Sequence, residues 1–141
     1  GERTIAVSNY FTGLWETALA ENEILTEVRI PTDSANANSC YLKFPQPASR
    51  YPYVGCAIAM SASGGSCNEI RVGFSGVGET AFRDSGVEDA LRGNTLNESA
   101  IASASAKAAE GRSVLNDVFV SEEYRRAMAQ VFAKRALTQL V

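Results

Sequence analysis

Histidine is missing from all 141 residues. Without imidazole the chain has no Ser–His or Cys–His nucleophile, no usual base near neutral pH, and no His-containing metal site. Cysteine is scarce and odd in number. Cys40, Cys56 and Cys67 show no CxxC spacing, so neither a metal site nor a disulfide framework is expected. All three fall in expected strands, where a free thiol packs as a small apolar group. That pattern suits a reducing compartment, and a cytoplasmic location is the expectation. No apolar run approaches the roughly 20 residues of a membrane span, and no cationic segment followed by an apolar one opens the chain. Positive charge is not in excess either. The 13 Lys and Arg against 16 Asp and Glu leave a net charge of -3, and no basic footprint for nucleic acid is present.

What the chain does have is an ordinary globular composition, 45% hydrophobic and 21% charged, at a length that fits one domain able to bury a core of its own. The most strongly patterned stretch lies between Ser39 and Val77. Val54 to Met60 is almost continuously small and apolar, Ser63-Gly64-Gly65-Ser66 reads as a turn, and Ile70, Val72 and Phe74 alternate with Arg71, Gly73 and Ser75. Such a pattern predicts a β-hairpin whose first strand is central and whose second has one buried face. Cys40 to Phe44 is expected to add a strand. So is the alternation of Ile24, Val28 and Ile30 with Glu27 and Arg29, ended by Pro31. Between them, Thr32 to Asn38 reads as a loop. The aromatic cluster Asn9 to Trp15, interrupted by Gly13, is expected to plug one end of the core. Its other use is an interface with a further domain.

Helical signals follow the hairpin. Asp84 or Ser85 can cap a short helix carrying Val87, Ala90 and Leu91; Asn97 can cap a second over Glu98 to Glu110; Ser121 can cap the longest. On the last, Tyr124, Met128, Val131 and Phe132 form a stripe expected to lie on the sheet. Strands first and helices last predict an α+β fold, with an antiparallel sheet of three to four strands packed on a layer of three helices.

Few residues suggest chemistry. The carboxylate pairs Glu88-Asp89 and Glu122-Glu123 fall on expected helix faces and read as solvated surface. Gly76-Val77-Gly78 lacks the third glycine of a dinucleotide fingerprint and reads as a strand-end turn. The stretch Lys43 to Tyr53 is more site-like, because it sets Lys43 and Arg50 among Tyr41, Phe44, Tyr51 and Tyr53 on a proline-stiffened loop. Cations beside aromatic faces suit a planar anionic ligand such as a flavin or nucleotide. The plainer reading is a loop whose aromatics cover the hairpin while its cations stay in water.

Several motifs, in order, resemble one known domain. Phe11-Thr12-Gly13-Leu14-Trp15-Glu16-Thr17-Ala18-Leu19 and Asn22-Glu23-Ile24-Leu25-Thr26-Glu27-Val28-Arg29-Ile30-Pro31 are similar to the opening of the C-terminal domain of the FAD-binding medium subunit of molybdenum hydroxylases. This is the family of carbon monoxide dehydrogenase and xanthine dehydrogenase. Tyr41-Leu42-Lys43-Phe44 with Ala48-Ser49-Arg50-Tyr51-Pro52 resembles its Lys-containing strand and Ala-Ser-Arg loop. Gly73 to Arg83 resembles its glycine-rich strand end, Val87 to Gly93 its short helix, and Asn116-Asp117 to Tyr124-Arg125-Arg126 the opening of its final helix. The carbon monoxide dehydrogenase-like branch looks the closer one. Val54-Gly55-Cys56-Ala57 stands where the xanthine dehydrogenase branch carries acidic residues, so the resemblance gives no support to NAD as acceptor.

The resemblance implies a function. Residues 1–141 are expected to form a single domain, the C-terminal one of a larger flavoprotein subunit whose N-terminal FAD-binding domains are absent from this sequence. Its partners are those domains, a molybdenum-containing large subunit and a [2Fe–2S] small subunit, with no nucleic acid and no membrane span. The molybdenum cofactor and iron–sulfur clusters belong to those other subunits. Leu25, Lys43 and Arg50 are the FAD-contacting positions carried over by motif, and this piece alone is expected to bind FAD weakly or not at all. No catalytic residue and no metal ligand is expected. Two other classes stand beside this one: a structural or subunit-docking and dimerisation module with no direct cofactor role, and a free-standing small-molecule binder using the same loop.

Overall fold

In the computed structural model, which describes residues 1–32 and 37–141, the body of the protein is one four-stranded antiparallel sheet with helices on one face. The strands are β3 (Asn38–Pro45), β4 (Pro52–Ser63), β5 (Ser66–Ser75) and β6 (Phe82–Arg83), in the order β3-β4-β5-β6. They are preceded by β1 (Phe11–Gly13) and β2 (Glu16–Thr17), a separate two-stranded ribbon. The α+β expectation holds. β4 and β5 form the hairpin, with Ser63 opposite Ser66 and positive φ at Gly64 and Gly65, a conformation glycine adopts without steric cost. β4 lies between two neighbours, and Val54, Gly55 and Cys56 are all buried, which is why its sequence shows no polar alternation.

Three helices cover the sheet: α1 (Ser85–Leu91), α2 (Glu98–Ser105) and α3 (Glu122–Leu140). α3 lies on β3 and β4, α1 on β5, and α2 packs between α1 and α3. Asp84, Asn97 and Ser121 cap them as their side chains predict, each accepting a backbone N–H three residues on. The core is built from Val54, Ile58, Met60, Ile70, Val72 and Phe74 of the sheet against Val87, Leu91, Ile101, Phe132 and Leu137 of the helices.

Four expectations need correction. Residues 23–31 form no strand; among the described residues they pair with no partner, and Ile24, Val28 and Ile30 are 70–82% exposed. Alternation makes a strand only where another edge supplies hydrogen bonds. The aromatic cluster does not plug the core, because a 3-10 turn at Val7–Asn9 and the β1–β2 ribbon leave Trp15 95% exposed at φ +63°. α2 ends at Ser105, its last turns giving way to an irregular segment that reaches Gly111. On α3 the buried face is Arg125, Ala129, Phe132, Ala133, Ala136 and Leu137, one position round from the expected stripe, and Tyr124 is exposed. The expected loop Thr32 to Asn38 falls partly on residues 33–36, outside the described residues.

Candidate functional site

The β3–β4 connection brings Lys43 and Arg50 together. Lys43 stands on the helix-free face of β3, opposite Gly55. The loop beyond Pro45 folds back on itself: the Arg50 N–H donates to the Gln46 carbonyl at 2.9 Å, the Gln46 N–H to the Tyr51 carbonyl at 2.8 Å, and the Gln46 side-chain oxygen accepts from Ser49. Arg50 is held at φ +66°, a left-handed conformation that costs a non-glycine residue about 1–2 kcal/mol. The Lys43 Nζ donates to the Arg50 carbonyl at 2.8 Å. One cation therefore holds the backbone of the other, and two N–H donors of Lys43 and the whole guanidinium of Arg50 are left to face outward. Among the described residues neither side chain enters an ion pair. The corner is positively charged and unneutralised.

Aromatic side chains flank it. Tyr51, 56% exposed, stands edge-on to Tyr53 at 6.3 Å between centroids; Tyr53 contacts Phe44 at 5.6 Å and Phe119 at 6.5 Å. Val118 and Phe119 project from the turn before α3 and are 93% and 70% exposed. Beneath these rings lies Arg125, 2% exposed. Its guanidinium donates to the carbonyls of Tyr53 at 2.7 Å, Gly76 at 2.8 Å and Leu115 at 3.1 Å, and to the Asp117 carboxylate at 2.6 Å. It also sits 5.7 Å from the Tyr53 ring centroid. Burial alone would raise the Asp117 carboxyl. The Val120 and Phe119 amides, with Arg125, outweigh that and hold it below its usual range.

Leu25 is placed elsewhere. It lies on the extended N-terminal segment, 56% exposed, and among the described residues no hydrogen bond ties residues 24–32 to the sheet. That segment is fixed locally instead: the Arg3 guanidinium grips Glu23 at 2.6 and 2.7 Å and the Ala18 carbonyl at 2.6 Å. A shallow hollow on the open face of the sheet, floored by Ala57, Ala59 and Gly73, lies beside the Lys43–Arg50 corner and not at it.

Sequence reasoning found the cations of this corner and missed what braces it. Arg125 stood in the sequence only as part of the motif opening the final helix, yet it is the buried centre of the loop's support. Glu88, expected on a solvated face, is 3% exposed and accepts from the Val72 N–H at 2.9 Å and from both ends of the Arg83 fork at 2.7 Å. The available signal was positional, since both lie one turn or less from a helix start that faces the sheet. The cysteines occur as free thiols, with burial pushing Cys56 up to about 12. No helix among the described residues is long and apolar enough to cross a membrane.

Comparison with known proteins agrees with this architecture. The CO dehydrogenase flavoprotein C-terminal domain family matches residues 39–140. The carbon monoxide dehydrogenase medium chain of Hydrogenophaga pseudoflava is 31% identical over 97% of this chain and 48% of its own. The nicotine 6-hydroxylase medium subunit of Paenarthrobacter nicotinovorans is 28% identical over 99% of this chain and 48% of its own. Among solved structures, the reconstituted CO dehydrogenase from Oligotropha carboxidovorans superposes with a TM-score of 0.88 at 28% identity, covering 98% of this chain and 48% of that one. The chain thus spans about half the length of the curated relatives it matches. With sheet order, helix layer and 102 consecutive residues in agreement (39–140), the chain belongs to the CO dehydrogenase flavoprotein C-terminal domain family.

Proposed function

We propose that this chain is the C-terminal domain of the FAD-binding medium subunit of a molybdenum hydroxylase, and that the Lys43–Arg50 corner forms one wall of its flavin site. The observation that carries the reading is the Lys43 Nζ bond to the Arg50 carbonyl, which presents two unneutralised cations beside exposed aromatic rings. The residues fit the group: a planar, anionic ligand needs positive charge and ring faces, and both are held here by backbone contacts. Lys43 orients the loop, Arg50 adds a fixed charge, and Tyr51 supplies an apolar face. Together they place positive potential where negative charge accumulates on reduction. When bound, the flavin supplies electron transfer between the iron–sulfur relay of the small subunit and an external acceptor. The molybdenum chemistry belongs to the large subunit. Leu25 joins the wall once the N-terminal segment is docked on the other half of the subunit.

The test is Lys43→Ala in the complete subunit, read by FAD content and flavin midpoint potential. A loss of FAD or a shifted potential is expected; wild-type values in both remove Lys43 from the site. A second reading, a docking module with no cofactor role, is favoured by the exposure of Phe11, Leu14, Trp15 and Ile24. It predicts that removing residues 1–32 abolishes subunit association while Lys43→Ala leaves the flavin untouched.

A further inference from the structure

We infer that Arg125, held by Asp117, is the positioning residue that fixes the Arg50 loop in its flavin-facing geometry, an inference that rests on the reading of Lys43 and Arg50 as flavin contacts. The loop is closed by its own hydrogen bonds around Gln46 and by Lys43, so where it sits depends on the strand it leads into. Residues 47–51 are exposed, and Arg50 adopts a backbone conformation that few side chains hold unaided. Its exit strand is pinned three residues on. The Arg125 Nη1 bridges the Tyr53 carbonyl at the start of β4 and the Gly76 carbonyl just past the end of β5, so these two chain ends keep one separation. The Nε takes the Leu115 carbonyl and the Nη2 the Asp117 carboxylate. Asp117 is itself immobilised, accepting the Phe119 and Val120 amides at 2.8 Å each.

The geometry uses what distinguishes arginine. A planar fork of five donors spans three carbonyls and a carboxylate, whereas a lysine has three donors on one mobile point. A buried ionic cluster is by itself weak evidence for stability. Its value here lies in placement: the Tyr53 carbonyl and the ring over it sit between Arg125 and the loop. Glycine at 76 belongs to the same device. At φ +73° its backbone passes so close to the Pro52 and Tyr53 carbonyls that a Cβ would collide with them.

The experiment uses the complete subunit with Arg125→Lys, Arg125→Met and Asp117→Asn. Asp84→Ala is the control, since Asp84 is a buried cap that touches the Val87 and Ala109 amides and not the loop. FAD dissociation constant, flavin midpoint potential and Tm are measured for each. Arg125→Lys and Asp117→Asn are expected to weaken FAD binding roughly tenfold and to displace the potential in folded protein. Asp84→Ala is expected to lower Tm with FAD affinity unchanged. If Arg125→Met fails to fold, Asp117→Asn, nearly isosteric and at a half-exposed position, decides. Variants at 125 and 117 that lower Tm yet keep wild-type affinity and potential overturn the positioning role. If Lys43→Ala is silent as well, the flavin-wall reading falls with it; if Lys43→Ala shifts the flavin and these do not, only the positioning role is lost.

Discussion

The first 32 residues and the rest of the chain use similar apolar side chains to opposite ends. In the body, Ile58, Ile70, Leu91 and Leu137 are at most 2% exposed, packed between one sheet face and three helices. In the arm, Trp15, Ile24, Val28 and Ile30 are 70–95% exposed, although water disfavours them just as much. Among the described residues these side chains have no cover. The arm is not shapeless: the Arg3–Glu23 pair and the β1–β2 ribbon give it form. Burial, not residue type, separates a residue that holds this fold from one that presents it.

The largest contrast comes from matched isoleucines. Ile58→Ala should cost about 2–5 kcal/mol in chemical denaturation through lost burial and a cavity, whereas Ile24→Ala should stay within about 0.5 kcal/mol. Equal costs would show that the arm is part of the folded core. Gly76→Ala should follow, at roughly 3 kcal/mol, since it combines a left-handed φ with collision against the Pro52 carbonyl; Gly64→Ala, in open space at the hairpin turn, should cost only about 1 kcal/mol. Thermal unfolding of the pair checks both. Trp15→Gly should be neutral or stabilising by up to about 1 kcal/mol, because it relieves a positive φ and loses almost no packing. A clear loss of Tm would mean that the ring is buried in solution. The smallest effect is electrostatic. The Arg3 guanidinium, helped by the Ala20 amide, lowers the Glu23 carboxyl from 4.5 to about 2. With the folded value depressed, the tie is fully present above the ordinary carboxylate value and fades as pH falls from there through about 2. An NMR titration of Glu23 should therefore show a midpoint near 2 that returns towards the ordinary value in Arg3→Ala.

The sequence was legible where local chemistry decides. Period-two alternation and Gly64-Gly65 announce the hairpin, and Asp84, Asn97 and Ser121 announce three helix starts. It misled where a partner decides. Ile24, Val28 and Ile30 alternate like a strand, but among the described residues no edge meets them. It was also opaque where charge is buried, because Arg125 and Glu88 have the spacing of core residues and the chemistry of surface ones. On α3 an apolar stripe through Tyr124 and Met128 was expected, and the buried Arg125 turns that face by one position. At the candidate site, Lys43 and Arg50 were visible as types, and the proline-stiffened loop between two strands foretold their approach. The bond from Lys43 to the Arg50 carbonyl could not be read from a sequence, since it depends on how the loop closes.

Where the short pairing of β5 with β6 stops, Glu88 does for the Val72 amide what another strand would otherwise do. By taking the Val72 amide into a carboxylate already clamped by Arg83, it ends the ladder with a charge instead of a free donor. A foreign strand arriving there would find that amide occupied and a helix in the way. That donor of β5, just beyond its pairing with β6, is closed to a further strand, whereas on the opposite border β3, along Asn38–Pro45, has a strand neighbour on one side alone among the described residues.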